Sequence, residues 1–244
     1  MQTRHMPSVG ARYWSAITMA SLFGTNLGDL YAHNSGLGLI GGVPILAALA
    51  AAVFLLERRD GTPRELWYWL VIIIIRTGAT NIADYLNHQI PRVVFGGGLT
   101  LLLAAFAWAS TRDASPREAA IEKLKGMPQT GTSYWCAMLT AGVFGTFIGD
   151  VVSKACGEGL ASLTLGLLLC VAIMCWWTQR ARFIWVYWLA VAVARTFGTA
   201  AGDFLAENDA LNIGLPIATL ITGALFVSIL SFWPRSERWP LAVA

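Results

Sequence analysis

Four short strings give this chain its chemistry, because each places a carboxylate inside an otherwise apolar segment. Each string reads small-Thr-x-x-small-Asp, and a Tyr-Trp pair lies upstream of it, with the Trp fifteen residues before the Asp. A carboxylate in lipid must protonate, pair with a cation or bind one. The four strings are Gly24–Asp29, Ala79–Asp84, Gly145–Asp150 and Gly198–Asp203.

A polar stripe extends each string along one helix face, because residues four apart lie on neighbouring helical turns. A Thr lies four residues before each Asp, and the second and fourth copies add an Arg four residues before that Thr. One turn beyond the Asp, the first two copies have His33 and His88, whereas the later copies have Lys154 and Glu207. The candidate ion-binding residues are Asp29, Asp84, Asp150, Asp203, Thr25, Thr80, Thr146, Thr199, Arg76 and Arg195.

The composition is typical of a polytopic membrane protein rather than of a soluble domain. Of the 244 residues 56% are hydrophobic and only 13% are charged, whereas a soluble domain has about 25% charged residues. The apolar runs predict an all-α fold of eight transmembrane helices in four hairpins, each near the ~20 residues that cross a bilayer. The predicted spans are 12–33, 37–56, 66–88, 92–109, 133–155, 159–178, 184–206 and 211–232.

The chain also divides into two similar halves, since equivalent Asp residues recur at spacings of 121 and 119 residues. We predict a first half at 1–110 (repeats 1 and 2), a cytoplasmic linker at 111–132 with a short helix, and a second half at 133–244 (repeats 3 and 4). The two chain ends and the links between hairpins hold 13 of the 17 Lys and Arg residues, so the positive-inside rule places both termini in the cytoplasm. The four hairpins are then parallel repeats, and all four Asp lie at one depth.

The helices that carry the Asp residues are expected to form the centre of the bundle. Each string holds two small residues four apart, a spacing that lets helix backbones approach closely in lipid. The other four helices are more uniformly apolar and are expected to face lipid. All eleven Trp fall near the predicted cytoplasmic helix ends, which is typical of interfacial anchors, so we assign them no chemistry.

The Tyr-Trp and Gly-Thr-x-x-Gly-Asp arrangement over residues 13–233 resembles a family of bacterial membrane proteins built from tandem copies of a repeat of unknown function. The second copy departs from the pattern, with Ala79 and Ala83 where Gly is expected. The resemblance implies a multi-pass protein of the bacterial inner membrane. It supplies no substrate and no mechanism.

The leading functional hypothesis is cation transport. Carboxylates, hydroxyls and helix carbonyls are hard oxygen ligands that suit a proton, Na⁺, Mg²⁺ or Mn²⁺, so a divalent metal ion or a proton-coupled cation is the expected cargo. Asp29, His33, Asp84 and His88 form a two-Asp, two-His set that would suit Mn, Zn or Fe. Interfacial His side chains that face water are the simpler interpretation of His33 and His88.

Two alternatives stay open. In the first, the Asp residues pair with Arg76 and Arg195 in a non-transporting membrane scaffold; in the second, His33 and His88 are axial ligands in a haem-binding electron-transfer subunit. The two Arg lie about 12 Å from the Asp level along their helices, where they would form ion pairs or a positive barrier.

No enzyme is predicted, because the sequence has no HExxH, Ser nucleophile elbow or Gly-rich phosphate loop. Nucleic-acid binding has no support, since membrane topology accounts for the basic residues. The expected partners are the lipid bilayer and a small cation substrate, and a homo-oligomer stays open.

Overall fold

The computed structural model describes residues 7–60, 62, 64–112, 128, 130–179, 184–208, 211 and 213–233. Over these residues the chain is all-helical, as predicted, with nine helices and no strand. The short helix predicted within the linker falls mainly on 113–127, outside the described residues. The helices are α1 (Ala11–Asn34), α2 (Gly38–Gly41), α3 (Val43–Arg59), α4 (Leu66–Gln89), α5 (Arg92–Arg112), α6 (Thr132–Cys156), α7 (Glu158–Gln179), α8 (Ile184–Glu207) and α9 (Leu215–Phe232).

Seven helical segments in the described part of the chain are long and apolar enough to cross a bilayer, which makes this a multi-pass membrane protein. They are α4 to α9 and the segment Gly38–Arg59, which joins α2 and α3. Helix α1 is not among them: it is as long as α4 and α8 but less apolar. The last helix begins four residues later than predicted, because Gly214 has a φ of 78° and Pro216 lies in the first turn.

Four inner helices, α1, α4, α6 and α8, form a closed ring. Each packs against the next in the order of the chain, and α8 packs back against α1. These are the helices that carry the Tyr-Trp pairs and the Asp residues. More than half of the apolar span of α4, α6 and α8 is buried, against about a tenth to just over a quarter in the other spans.

Each outer helix packs mainly against the inner helix of the following repeat rather than against the helix before it. Helix α3 packs on α4, α5 on α6, and α7 on α8, while α9 closes the circle by packing on α1. Arg12 adds a hydrogen bond between the first and last repeats, because its Nη2 donates to the Leu230 carbonyl of α9 at 3.1 Å. Its Nη1 lies 2.6 Å from Glu65 Oε2, an ion pair with the residue that precedes α4 of the second repeat. The ring is therefore closed by contacts between the first and last repeats.

The loop between α3 and α4 is organised by the half-buried carboxylate of Asp60. Asp60 accepts hydrogen bonds from the Thr62 hydroxyl at 2.6 Å, the Thr62 amide at 3.0 Å and the Trp67 indole at 2.9 Å. These hydrogen bonds favour the charged form and lower the pKa of Asp60 to about 2, the Thr62 hydroxyl contributing most. This loop lies at the Tyr-Trp end of the inner ring.

Candidate ion-binding vestibule

The Asp-bearing ends of the inner helices surround one polar cavity of about 620 Å³, which we call the vestibule. Each repeat contributes its Thr and its Asp to the wall, so the structure brings together eight of the ten candidate ion-binding residues. Because equivalent residues of four helices reach one cavity, the four inner helices run parallel. The vestibule is lined by Thr25, Asp29, His33, Thr80, Asp84, Thr146, Asp150, Ser153, Lys154, Gly157, Glu158, Thr199, Asp203, Glu207 and Asn208.

The vestibule wall is strongly acidic. Six of its side chains are carboxylic acids and one is a lysine. The four repeat Asp side chains are half-buried, in positions where solvent still reaches them. A cleft with one sign of charge and apolar walls concentrates counter-ions, so this wall favours cations.

Small residues set how closely the inner helices approach. A Cβ on Gly28 would lie 2.8 Å from Thr80 Cβ, and a Cβ on Gly149 would lie 2.8 Å from Thr199 Cβ. A Cβ on Gly202 would lie 2.9 Å from Asn26 Oδ1. Because any side chain here would push neighbouring helices apart, the small pairs hold the Thr and Asp residues of adjacent repeats around one cavity.

The second repeat keeps this packing although it has Ala79 where the others have Gly. In the other three repeats, a Cβ added at Gly24, Gly145 or Gly198 would clash with a residue of the next inner helix, eight positions before the Asp of that helix. These residues are Arg76, Arg195 and Ser21, respectively. The residue that faces Ala79 is Gly142, and a Cβ there would lie 2.7 Å from Ala79 Cβ. The missing glycine of one helix is therefore compensated by a glycine of its neighbour.

Arg195 lies below the vestibule and joins all four inner helices. Its side chain is fully buried. From α8 it donates to the carbonyls of Ser21 at 2.8 Å, Arg76 at 3.3 Å and Gly142 at 3.4 Å. It also donates to the hydroxyls of Thr80 and Thr146, the latter at 2.8 Å. Hydrogen bonds from a charged donor contribute about 1.5–3 kcal/mol each, so this residue ties the inner ring together.

Arg76 occupies the equivalent position in α4 but has a different environment. It too is fully buried, yet its Nη2 has only the Met138 sulfur at 3.6 Å. Among the described residues, Nε and Nη1 have no hydrogen-bond partner. The two candidate Arg residues thus differ: every side-chain nitrogen of Arg195 has an oxygen acceptor, and no side-chain nitrogen of Arg76 has one among the described residues.

The alternative in which the Asp residues pair with Arg76 and Arg195 has no ion pair to support it among the described residues. Within the described ranges, no Lys, Arg or His nitrogen lies within 4.0 Å of a carboxylate oxygen of the four repeat Asp residues; the ion pairs there are Arg12–Glu65 and Arg64–Asp60. Arg195 reaches only the Thr level, one turn below the Asp residues. Among the described residues, the acidic wall and the buried Arg residues therefore form no direct ion pair.

A ring of tyrosine hydroxyls, which we call the tyrosine ring, closes the opposite end of the inner helices, and sequence reasoning missed it. Four hydrogen bonds of 2.7 to 3.1 Å link one buried Tyr hydroxyl from each repeat in a cycle. The available signal was a Tyr sixteen residues before every Asp, a spacing that places four hydroxyls at one level. Its members are Tyr13, Tyr68, Tyr134 and Tyr187.

The interpretation of every Trp as an interfacial anchor is wrong for the repeat Trp residues. Trp14, Trp69, Trp135 and Trp188 are at most 8% exposed. Each packs edge-on against the Tyr that precedes it, with ring centroids 5.1 to 5.4 Å apart. Their indoles fill the space around the tyrosine ring, and burial among aromatic rings replaces contact with lipid headgroups.

The predicted two-Asp, two-His metal set is only partly assembled. Asp29, Asp84 and His33 line the vestibule, but His88 does not. Both His side chains are exposed, and each Nδ1 contacts the backbone carbonyl of the Asp one turn before it, at 2.8 Å for His33 and 2.6 Å for His88. In the part of the chain that the structure describes, no three His, Cys, Asp or Glu side chains are grouped to hold a metal ion.

Two segments of the chain, residues 12–60 and 186–238, match the family described as Repeat of Unknown Function (DUF347). They correspond to the first and fourth hairpins, whose inner helices are in contact in the closed ring. The resemblance to a tandem-repeat family of unknown function is thus confirmed. No curated protein and no solved structure matches the chain.

Proposed function

We propose that this protein is a membrane cation transporter and that the vestibule receives the cation. The supporting observation is that one Asp from each of four repeats reaches a single polar cavity. Within the described residues, none of these four carboxylates has a cationic partner within 4.0 Å. Carboxylates kept in a membrane without such partners are rare and mark ion or proton pathways.

The proposal includes an eight-span topology. Helix α1 completes the ring of inner helices and packs against α4, α8 and α9, so it would cross the bilayer beside them as the eighth span. Arg12, Arg58, Arg59, Arg64 and Arg112 lie at the end of the bundle opposite the vestibule. By the positive-inside rule, that end and both termini would face the cytoplasm, in a bacterial inner membrane.

The proposed cargo is a divalent metal ion such as Mn²⁺, or a proton-coupled cation. The wall presents carboxylate and hydroxyl oxygens, the donors that hard cations prefer. Because the described residues hold no preformed cluster of metal ligands, the ion would keep part of its water shell and be held by several distributed charges. His33 on the vestibule wall would add a nitrogen ligand for Zn or Fe.

A non-transporting scaffold is the second candidate. It is favoured by the tyrosine ring and by Arg195, since both link all four inner helices and leave the Tyr-Trp end closed. It does not need the Asp residues, because these make no ion pair with the Arg residues in the described part of the chain. Transport therefore accounts for more of the geometry that recurs in the four repeats.

Cation binding to the purified protein tests the proposal. We expect Mn²⁺ or another divalent ion to raise the melting temperature of the wild type, and elemental analysis to detect the bound ion. Both effects should be lost when Asp29, Asp84, Asp150 and Asp203 are all changed to Asn. Asp60→Asn is the matched control, since it removes a carboxylate at the other end of the bundle. An equal shift in the quadruple variant would reject the vestibule as the binding site.

A further inference from the structure

Below the Asp residues of the vestibule, five oxygen atoms converge on one buried guanidinium and accept hydrogen bonds from it. Three are backbone carbonyl oxygens, of Ser21, Arg76 and Gly142, and two are the hydroxyl oxygens of Thr80 and Thr146. They come from three different inner helices, and we call them the oxygen cage. Proteins bind cations with sets of converging carbonyl and hydroxyl oxygens of this kind.

The hydroxyls of the oxygen cage are oriented as acceptors by their own helices. Thr80 Oγ1 donates to the Arg76 carbonyl and Thr146 Oγ1 to the Gly142 carbonyl, both at 3.2 Å, and the Gly24 carbonyl is a longer alternative acceptor for Thr80 at 3.5 Å. A hydroxyl has a single proton. Because that proton is directed at a backbone carbonyl in either case, both hydroxyl oxygens act as acceptors toward Arg195.

The atom group that fills the oxygen cage is itself a cation. The Arg195 guanidinium enters from α8, the fourth inner helix, and contacts all five oxygens. We propose that the oxygen cage is a second cation site, for monovalent cations of the guanidinium class, and that Arg195 is its tethered occupant. This site lies one turn below the four repeat Asp residues, and the proposal holds whether or not the vestibule transports ions.

The oxygen cage has room for one guanidinium. Arg76 is related to Arg195 by the 119-residue spacing of the two halves, so its equivalent acceptors would be the carbonyls of Ser21, Gly142 and Arg195 and the hydroxyls of Thr25 and Thr199. Two of these carbonyls, those of Ser21 and Gly142, already accept from Arg195, and the hydroxyls of Thr25 and Thr199 contact each other at 3.4 Å. Among the described residues, the hydrogen-bond partner of Arg76 is instead the Met138 sulfur. The Arg195 guanidinium therefore lies between the vestibule and the tyrosine ring.

Chemical rescue of a full-length variant that lacks the Arg195 side chain tests the second site. Arg195→Ala empties the cage and should lower the melting temperature of the full-length protein in detergent. Guanidinium chloride at low-millimolar concentration should then produce a saturable rise, about 3 °C or more at ten times its dissociation constant. Sodium chloride at the same ionic strength and urea at the same concentration should not. Arg76→Ala is the matched control and should show no rescue, because this variant keeps the Arg195 guanidinium that the cage oxygens bind.

Equal responses of the two variants to guanidinium, or a response of Arg195→Ala to urea as well, would overturn the proposal. Should Arg195→Ala not fold, Arg195→Lys and Arg195→Gln supply the test. A cation site predicts that Lys keeps a higher melting temperature than Gln, since Gln is neutral and brings a carbonyl oxygen to a cage of oxygens. A Gln variant as stable as the Lys variant would show that the cage does not select charge.

Discussion

The contact between Ala79 and Gly142 offers a stringent test of how the inner ring packs. Changing Gly142 to Ala puts a second methyl group where only one fits, since its Cβ would lie 2.7 Å from Ala79 Cβ. Optimal carbon–carbon contacts are about 3.5–4.0 Å long. Helices α4 and α6 would therefore have to separate locally by about 1 Å.

The expected loss follows from that displacement. Adding a methyl group to a well-packed core costs about 1–3 kcal/mol, and the better helix propensity of Ala offsets up to about 1 kcal/mol. We therefore expect Gly142→Ala to destabilise the protein by roughly 1–2 kcal/mol. Ala79 belongs to a buried apolar cluster that includes Phe95 and Phe147, whose ring centroids lie 5.0 Å apart.

The compensating change makes the test specific. The next neighbour of a Cβ at position 142 is Arg76 Nη1 at 3.9 Å, an ordinary contact. Ala79→Gly combined with Gly142→Ala should then restore most of the stability, because the two methyl groups trade places and the propensity terms cancel. Thermal unfolding of the wild type, both single variants and the double variant in one detergent gives the interaction term.

Additive effects of the two substitutions would refute this packing. So would a Gly142→Ala variant as stable as the wild type, since α4 and α6 would then not be in contact at this level. Ala79→Gly alone is the internal control, because it creates space without a clash and isolates the cost of an added glycine.

Two further predictions concern the Tyr-Trp end of the bundle. Tyr134→Phe removes the hydroxyl bonded to Tyr68 at 2.7 Å and Tyr187 at 2.9 Å, so we expect about 1–3 kcal/mol of destabilisation, measured by thermal unfolding; an unchanged melting temperature would contradict a closed tyrosine ring. Asp60→Asn should weaken the hydrogen bonds that hold the loop, because those bonds lower the pKa of Asp60 to about 2 and so favour its charged form. We therefore expect faster tryptic cleavage after Arg59 and Arg64 at pH 8. An unchanged cleavage rate would count against that loop structure. The stabilisation by the carboxylate is present above its ordinary pKa and is lost as pH falls towards 2.

The helices and the inner ring could be predicted from the sequence because both depend on periodic patterns. Apolar runs and small pairs recur with each repeat, and they predict which helices approach closely. The convergence of Asp29 and Thr25 with their three counterparts follows from that repetition. The path of the outer helices could not be predicted, because sequence proximity suggests that a helix packs on its hairpin partner, whereas α5 packs on α6.

The roles of individual residues depended on contacts that spacing does not reveal. Arg76 and Arg195 occupy equivalent positions in the sequence, yet one is saturated with hydrogen bonds and the other is not. Only the arrangement of their neighbours shows that the oxygen cage takes a single guanidinium. The buried Trp residues illustrate the same point, since Trp14 near a helix end is equally compatible with a headgroup layer and with an aromatic cluster.

Cation flux into proteoliposomes tests the proposed function most directly. Wild-type protein should carry Mn²⁺, or a monovalent cation with protons, across the membrane, and the variant with Asn at Asp29, Asp84, Asp150 and Asp203 should not. Asp60→Asn should transport like the wild type, since its carboxylate lies at the far end of the inner helices. Transport by the quadruple variant at the wild-type rate, or no cation movement by the folded wild-type protein, would contradict the assignment of the vestibule to cation transport.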